Sequence, residues 1–150
     1  MNILTALKSD HKELKKILED IEGTTERAEK KRLTVFAKFK EEIVAHARAE
    51  ESVVYEKLKG IVDKDDCDTL LEGYEEHYLV DKLIPEIENL SPTDEVWTAK
   101  VTVVKEMLEH HIKEEEDEIF AMVRKEFDPD ALEIMAERFE ALKAKKKKAA

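Results

Sequence analysis

Two segments of the chain carry the same spacing of metal-ligating side chains. His46 is followed four residues later by Glu50, then Glu51 and, further on, Tyr55. His111 is followed by Glu115, Glu116 and Phe120, each 65 positions beyond its counterpart. Residues four apart on a helix lie on one face, one turn from each other. An imidazole nitrogen and a carboxylate oxygen one turn apart form half of a metal site. Two copies of His-x-x-x-Glu-Glu-x-x-x-aromatic predict that two such halves face each other.

The remaining ligands emerge from the helices needed to hold these halves. Ile3 to about Ile21 reads as a first helix, with Leu4, Leu7, His11, Leu14, Leu18 and Ile21 as its inward stripe. A second helix, about Glu26 to Lys59, places His46 and Glu50 in a seam with Phe36, Phe39, Ile43, Val53 or Val54, and Leu58. A third, about Cys67 to Glu88, carries His77 between Tyr74 and Val80, with a kink or break expected at Pro85. A fourth, about Thr93 to Glu126, runs Trp97, Val101, Val104, Leu108, His111, Glu115, Ile119 and Met122 along one face. Gly23 ends the first helix. Thr24-Thr25 and Ser91 or Thr93 are the expected caps of the second and fourth. Gly60 and the acidic run Asp63 to Asp68 read as the intervening turn. A short fifth helix from Pro129 to about Lys143 follows Asp128, and the basic residues 144–150 read as a flexible tail beyond a single domain of residues 1–143. Four long helices with short turns predict an all-α, antiparallel four-helix bundle. The halves also repeat: His11, Leu14 and Leu18 map onto His77, Val80 and Ile84 by a shift of 66.

The candidate ligands are therefore His11, His46, Glu50, His77, His111 and Glu115. Any one of these His residues alone is as readily a hydrogen-bonded core residue, and a lone helical Glu usually faces water. As a set they differ. An unpaired buried carboxylate costs several kcal/mol, against a net stability of ~5–15 kcal/mol for a whole domain. Coordination to a divalent metal removes that cost. No thiolate joins the set, and nitrogen with carboxylate oxygen suits iron, manganese or zinc. Six ligands exceed the needs of one tetrahedral zinc. Two metals, each with two His and both bridged by the two Glu carboxylates, use all six and leave a position open for a small molecule.

Composition narrows the surroundings. The 150 residues hold 42% charged and 42% hydrophobic side chains, with only three Gly and three Pro, as expected for helices with a highly charged outer face. Lys plus Arg number 26 and Asp plus Glu 37, a formal charge of −11, which disfavours nucleic acid and anionic membrane as partners. The single Cys67 precludes an internal disulfide and fits a reducing cytoplasm. The N-terminal residues lack an unbroken apolar block, so neither a signal peptide nor a membrane span is expected.

Asp10-His11, His46-x-x-x-Glu50-Glu51, Glu76-His77 and His111-x-x-x-Glu115-Glu116, in this order on successive helices, resemble the hemerythrin-like family, the HHE cation-binding domain. The resemblance covers nearly the whole chain. It implies a non-haem di-iron centre, two iron ions joined by an oxo or hydroxo bridge, with His11, His46, His77 and His111 as ligands and Glu50 and Glu115 bridging. Oxygen-carrying members have a further His one turn after the third-helix His, where this chain has Asp81. The four-His, two-Glu set looks more like members tied to nitric oxide, peroxide or repair of iron centres. The extra N-terminal region with a Cys pair that repair proteins carry is not expected here. The functions implied are binding, sensing or detoxifying O2, NO or peroxide, with iron storage or delivery and a peroxide-consuming enzyme as alternatives. A monomer or weak homodimer is expected. His110 reads as a surface residue or an outer partner of the site, Tyr55, Tyr74 and Tyr78 as core, with lining the pocket or donating to a bridging oxygen as the alternative, and Glu51, Glu114 and Glu116 as solvated, with contact to a ligand His as the alternative.

Overall fold

In a computed structural model, which describes residues 1–149, five helices and their short connections account for the chain, with no strand among the described residues. α1 spans Ile3–Glu22. α2 begins as Glu29–Glu50, passes through a π-helical turn at Glu51–Tyr55 and ends as Glu56–Lys59. α3 spans Lys64–Glu88. α4 begins as Glu95–Glu114, passes through a π-helical turn at Glu115–Ile119 and ends as Phe120–Glu126. α5 spans Pro129–Ala149. α1 to α4 form the expected antiparallel four-helix bundle. α1 packs on α2, α3 on α4, and α5 lies along α1 and α2.

Side chains fix most helix starts. Asn2, Asp63, Asp94 and Asp128 each accept a hydrogen bond from a first-turn backbone N–H, at 3.0, 2.9, 2.8 and 2.8 Å respectively. The acidic run expected as a turn is thus mostly the first turn of α3, capped by Asp63 and suited to the positive end of the helix dipole. Asp94, not Ser91 or Thr93, caps α4. Neither Thr24 nor Thr25 caps α2, which starts after Ala28 without a side-chain cap. Thr24 instead accepts from buried Arg32 Nε at 2.8 Å. Arg32 also donates to Pro92 O at 2.8 Å and Thr98 Oγ1 at 2.9 Å and lies over the Trp97 ring, tying two loops together at one end of the bundle.

Two expectations about helix continuity change. α3 runs through Pro85 to Glu88 without a break. Pro85 is exposed and one turn from the helix end, so the carbonyl it leaves without a donor can be reached by water. α5 continues past Lys143 to Ala149 rather than fraying. Ala and Lys favour helix, and basic side chains complement its C-terminal end. Lys143 and Lys147 also meet Asp10 and Glu42, each at 2.6 Å.

The apolar interior falls into two clusters. One gathers Leu7, Val53, Tyr55, Leu70, Phe120 and Phe139 among others, and the second Leu14, Phe39, Ile43, Val80, Trp97 and Leu108 among others. Between them, at the same level on all four bundle helices, lies a buried belt of His11, His46, Glu50, His77, His111 and Glu115.

Candidate metal centre

Each belt residue owes its position to helix register. His11 occupies the stripe position between Leu7 and Leu14, and His77 that between Leu70 and Val80. His46 with Glu50 and His111 with Glu115 occupy adjoining turns of α2 and α4. Directly after each pair the helix widens. Glu56 N–H bonds back five residues to Glu51 O, and Phe120 N–H to Glu115 O. Such single π turns recur at functional sites.

All six predicted ligands converge. Glu115 Oε1 lies 3.0 Å from His11 Nε2 and Glu115 Oε2 lies 3.2 Å from His111 Nε2. Glu50 reaches His46 Nε2 at 3.6 Å and His77 Nε2 at 3.3 Å. Two overlapping groups result, His11–His46–Glu50–Glu115 and Glu50–His77–His111–Glu115, each with donor atoms within 4.8 Å of one another. Both carboxylates belong to both groups.

The outer nitrogen of every imidazole meets a carboxylate. His11 Nδ1 lies 2.7 Å from Glu116, His46 Nδ1 2.8 Å from Asp10, His77 Nδ1 2.7 Å from Glu51, and His111 Nδ1 2.8 Å from Glu76. With the proton on Nδ1, each Nε2 lone pair points inward. The pairing runs round the bundle: the acid on each helix serves the His of the next, from α1 to α2, α3, α4 and back to α1.

Charge follows this geometry. Burial disfavours the His46 imidazolium, but Glu50 and Asp10 outweigh it and hold the group up at about 10. His111 is likewise disfavoured by burial and held up to about 10 by Glu115 and Glu76. Burial would raise Glu115, yet His11 and His111 hold it well below the usual carboxylate range. The donor set also fits a metal by what it leaves unsatisfied. Among the described residues, His11 Nε2, both Glu50 oxygens and Glu115 Oε1 are buried without a hydrogen-bond partner of adequate geometry. Buried polar atoms normally find partners, and four orphans facing one point are the environment a cation satisfies.

Residues 2–123 match the model of the hemerythrin HHE cation-binding domain. The chain belongs to this family. The HHE domain is also structurally similar to a crystallised HHE cation-binding domain-containing protein from Mycobacterium kansasii, with a TM-score of 0.85 and 19% identity, over 99% of this chain and 89% of that one. At that identity the likeness concerns the fold. A protein of Nostoc sp. described as a DNA nickase is 25% identical over 145 residues, which are 97% of this chain and 40% of the relative. The chain therefore spans less than half of that relative's length.

Other residues fall outside the inner set or gain unexpected roles. Asp81 pairs with Arg48 at 2.9 Å, and Arg48 with Glu51 at 3.0 Å, so it supports His77 at two removes. His110 is exposed, 3.2 Å from Glu114. Tyr78 is exposed, and Tyr74 donates to Glu56 at 2.6 Å. Glu51 and Glu116, read first as solvated and second as contacts of a ligand His, are partly buried partners of His77 and His11, and the doubled Glu-Glu in both motifs is their signal. Tyr55, read as core, donates its O–H to Glu115 Oε2 at 2.6 Å.

Proposed function

We propose that this HHE domain holds two iron ions, one at His11, His46, Glu50 and Glu115 and the other at Glu50, His77, His111 and Glu115, and binds a small ligand there. The observation that carries this is the pair of buried four-donor groups sharing two carboxylates. Two irons in that setting would supply reversible redox change and open positions for O2, NO or peroxide. The residues themselves do the rest. The four outer acids hold the imidazoles with Nε2 free to ligate, and the apolar clusters on either side keep bulk water away. Manganese accepts the same donors, whereas zinc is the poorer match to six of them.

Binding or sensing is favoured over storage because every ligand is buried, which slows exchange of the ion. A peroxide-consuming reaction at the same centre is the enzymatic alternative. Among the described residues, the acids and the hydroxyl that touch the belt from outside are each bonded to a ligand side chain, so we read the domain as a binder before an enzyme. The formal charge of −11 opposes contact with DNA phosphates, so we do not carry nicking over from the Nostoc relative. No helix among the described residues is long and apolar enough to cross a membrane. A cytoplasmic monomer or weak homodimer is part of the proposal, with the single Cys67 in support of a reducing compartment.

The test is metal analysis with absorption spectroscopy. Two irons per chain, with near-ultraviolet bands that shift on adding NO, azide or peroxide, are expected. Turnover of hydrogen peroxide by the iron-loaded protein alone would favour the enzymatic alternative. No bound metal, and a Tm unmoved by added iron, would overturn the reading.

A further inference from the structure

We infer that Gly73 is a positioning residue for the metal centre, its missing side chain leaving the space from which the Tyr55 hydroxyl reaches Glu115. This rests on the metal-binding reading above and adds two residues to it.

Gly73 is buried in the interior of α3, one turn before His77. Glycine weakens a helix interior relative to alanine. Its backbone gives no reason for it, since no glycine in the chain has a positive φ among the described residues. The reason is steric. A β-carbon at position 73 would lie 2.8 Å from the Tyr55 hydroxyl oxygen, 3.0 Å from Cε2 and 3.2 Å from Cζ. Carbon atoms in comfortable contact stand ~3.5–4.0 Å apart.

The phenol cannot simply move aside. Tyr55 is fully buried, stacked on His77 at 5.6 Å with 8° between the planes, and met edge-on by Tyr74 at 5.1 Å. Its O–H is committed to Glu115 Oε2 at 2.6 Å. A methyl group at position 73 therefore displaces the oxygen from Glu115.

The bond makes the two shared carboxylates unequal. Glu115 Oε2 has a donor, whereas among the described residues neither Glu50 oxygen has a hydrogen bond of adequate geometry. It fixes the Glu115 rotamer and draws electron density from the oxygen that faces His111. The repeat supplies an internal control. The counterpart of Tyr55 is Phe120, which stacks near His11 at 6.2 Å but has no hydroxyl to offer. The counterpart of Gly73, by the shift of 66, is Leu7. A large residue stands where no hydroxyl needs room, and glycine where one does.

The experiment compares Gly73→Ala, Tyr55→Phe and the double variant with the unaltered protein, each loaded with iron. Gly73→Ala should lower Tm although alanine is the better helix former. It should also shift the charge-transfer bands and release iron to a chelator roughly tenfold faster, as for loss of an outer partner of a ligand. Tyr55→Phe should give the same spectral shift, and the double variant no further one, because both changes remove one hydrogen bond. If Gly73→Ala fails to fold, the double variant, which lacks the closest contact, and Tyr55→Phe carry the test. Bands and iron release unchanged in Tyr55→Phe, or a raised Tm with unchanged bands in Gly73→Ala, would overturn the inference. If the unaltered protein binds no iron, the metal reading fails separately. The seat of the phenol is then read in the metal-free protein by near-ultraviolet circular dichroism of tyrosine, where an unchanged Gly73→Ala spectrum and Tm overturn it.

Discussion

The two halves of the belt share their ligand chemistry and differ in what stands behind it. Behind His46, Asp10 is held by Lys143 at 2.6 Å, and the Phe139 ring meets the imidazole edge-on at 5.6 Å. Both come from α5, so the His11–His46 half is roofed by a fifth helix. Behind His77, Glu51 is held by Arg48, which continues to Asp81 at the bundle surface. Beside His77 and His111 lies a cavity of about 10 Å³, walled by Ile43, Ala47, Val80, Asp81 and Met107 among others, the space of about one water molecule. One half is closed by added structure, and the other has side-chain room at the level of its ligands. A duplicated motif has thus been placed in two settings.

That contrast can be broken most severely at the shared residues. Glu50→Ala should empty both halves, whereas His46→Ala and His77→Ala should each cost one iron, as read by metal content per chain. At a free metal concentration of 100 Kd, loss of both sites removes upwards of about 2.7 kcal/mol of ligand-linked stability. Equal losses from all three variants would mean that the halves do not fill independently.

A change of pH acts on both halves together. In the metal-free protein His46 and His111 are raised to about 10 from 6.5. A raised folded-state value gives stability that is present in full below about 6.5 and is lost as pH climbs toward 10. The Tm of the metal-free domain should therefore fall between pH 7 and pH 10. Iron affinity should rise over the same interval, because ligation displaces those protons. A flat Tm profile would mean that the carboxylates do not hold the imidazolium forms.

The smallest effect separates the two outer supports. Lys143→Ala removes a charged hydrogen bond from largely buried Asp10 and should cost about 1.5–3 kcal/mol by denaturant unfolding. Arg48→Ala, at an ion pair a third exposed, should cost about 1 kcal/mol or less. The reverse order would show that α5 contributes little to the first half.

How much of this was legible in the sequence depends on the distance over which each feature is encoded. The stripes of α1 to α4, with His11, His46, Glu50, His77, His111 and Glu115 in register, are local periodicities, and the structure brings all six together. The outer acids were half legible: Asp10 and Glu76 sit beside a His in sequence but serve the His of the next helix. The acidic run Asp63 to Asp68 is visible in the sequence, but several of its acids could cap a helix, and only the backbone position selects Asp63 as the cap of α3. The extent of α5 was hidden, since Lys143 and Lys147 find Asp10 and Glu42 only after the bundle has closed. The π turns at Glu51–Tyr55 and Glu115–Ile119 interrupt the helical period rather than follow it, and the use of Gly73 answers Tyr55 on another helix, so neither has a periodic signal.

The ring of acid–imidazole pairs sets a minimum size for the machinery. Asp10 serves His46 and Glu76 serves His111 within their own halves, but Glu51 serves His77 and Glu116 serves His11 across them. A hairpin of half this length would own one finished pair, one acid without its imidazole and one imidazole without its acid. It could complete them by docking about a twofold axis against a second copy of itself, an assembly that the present chain achieves by carrying both copies on one covalent thread.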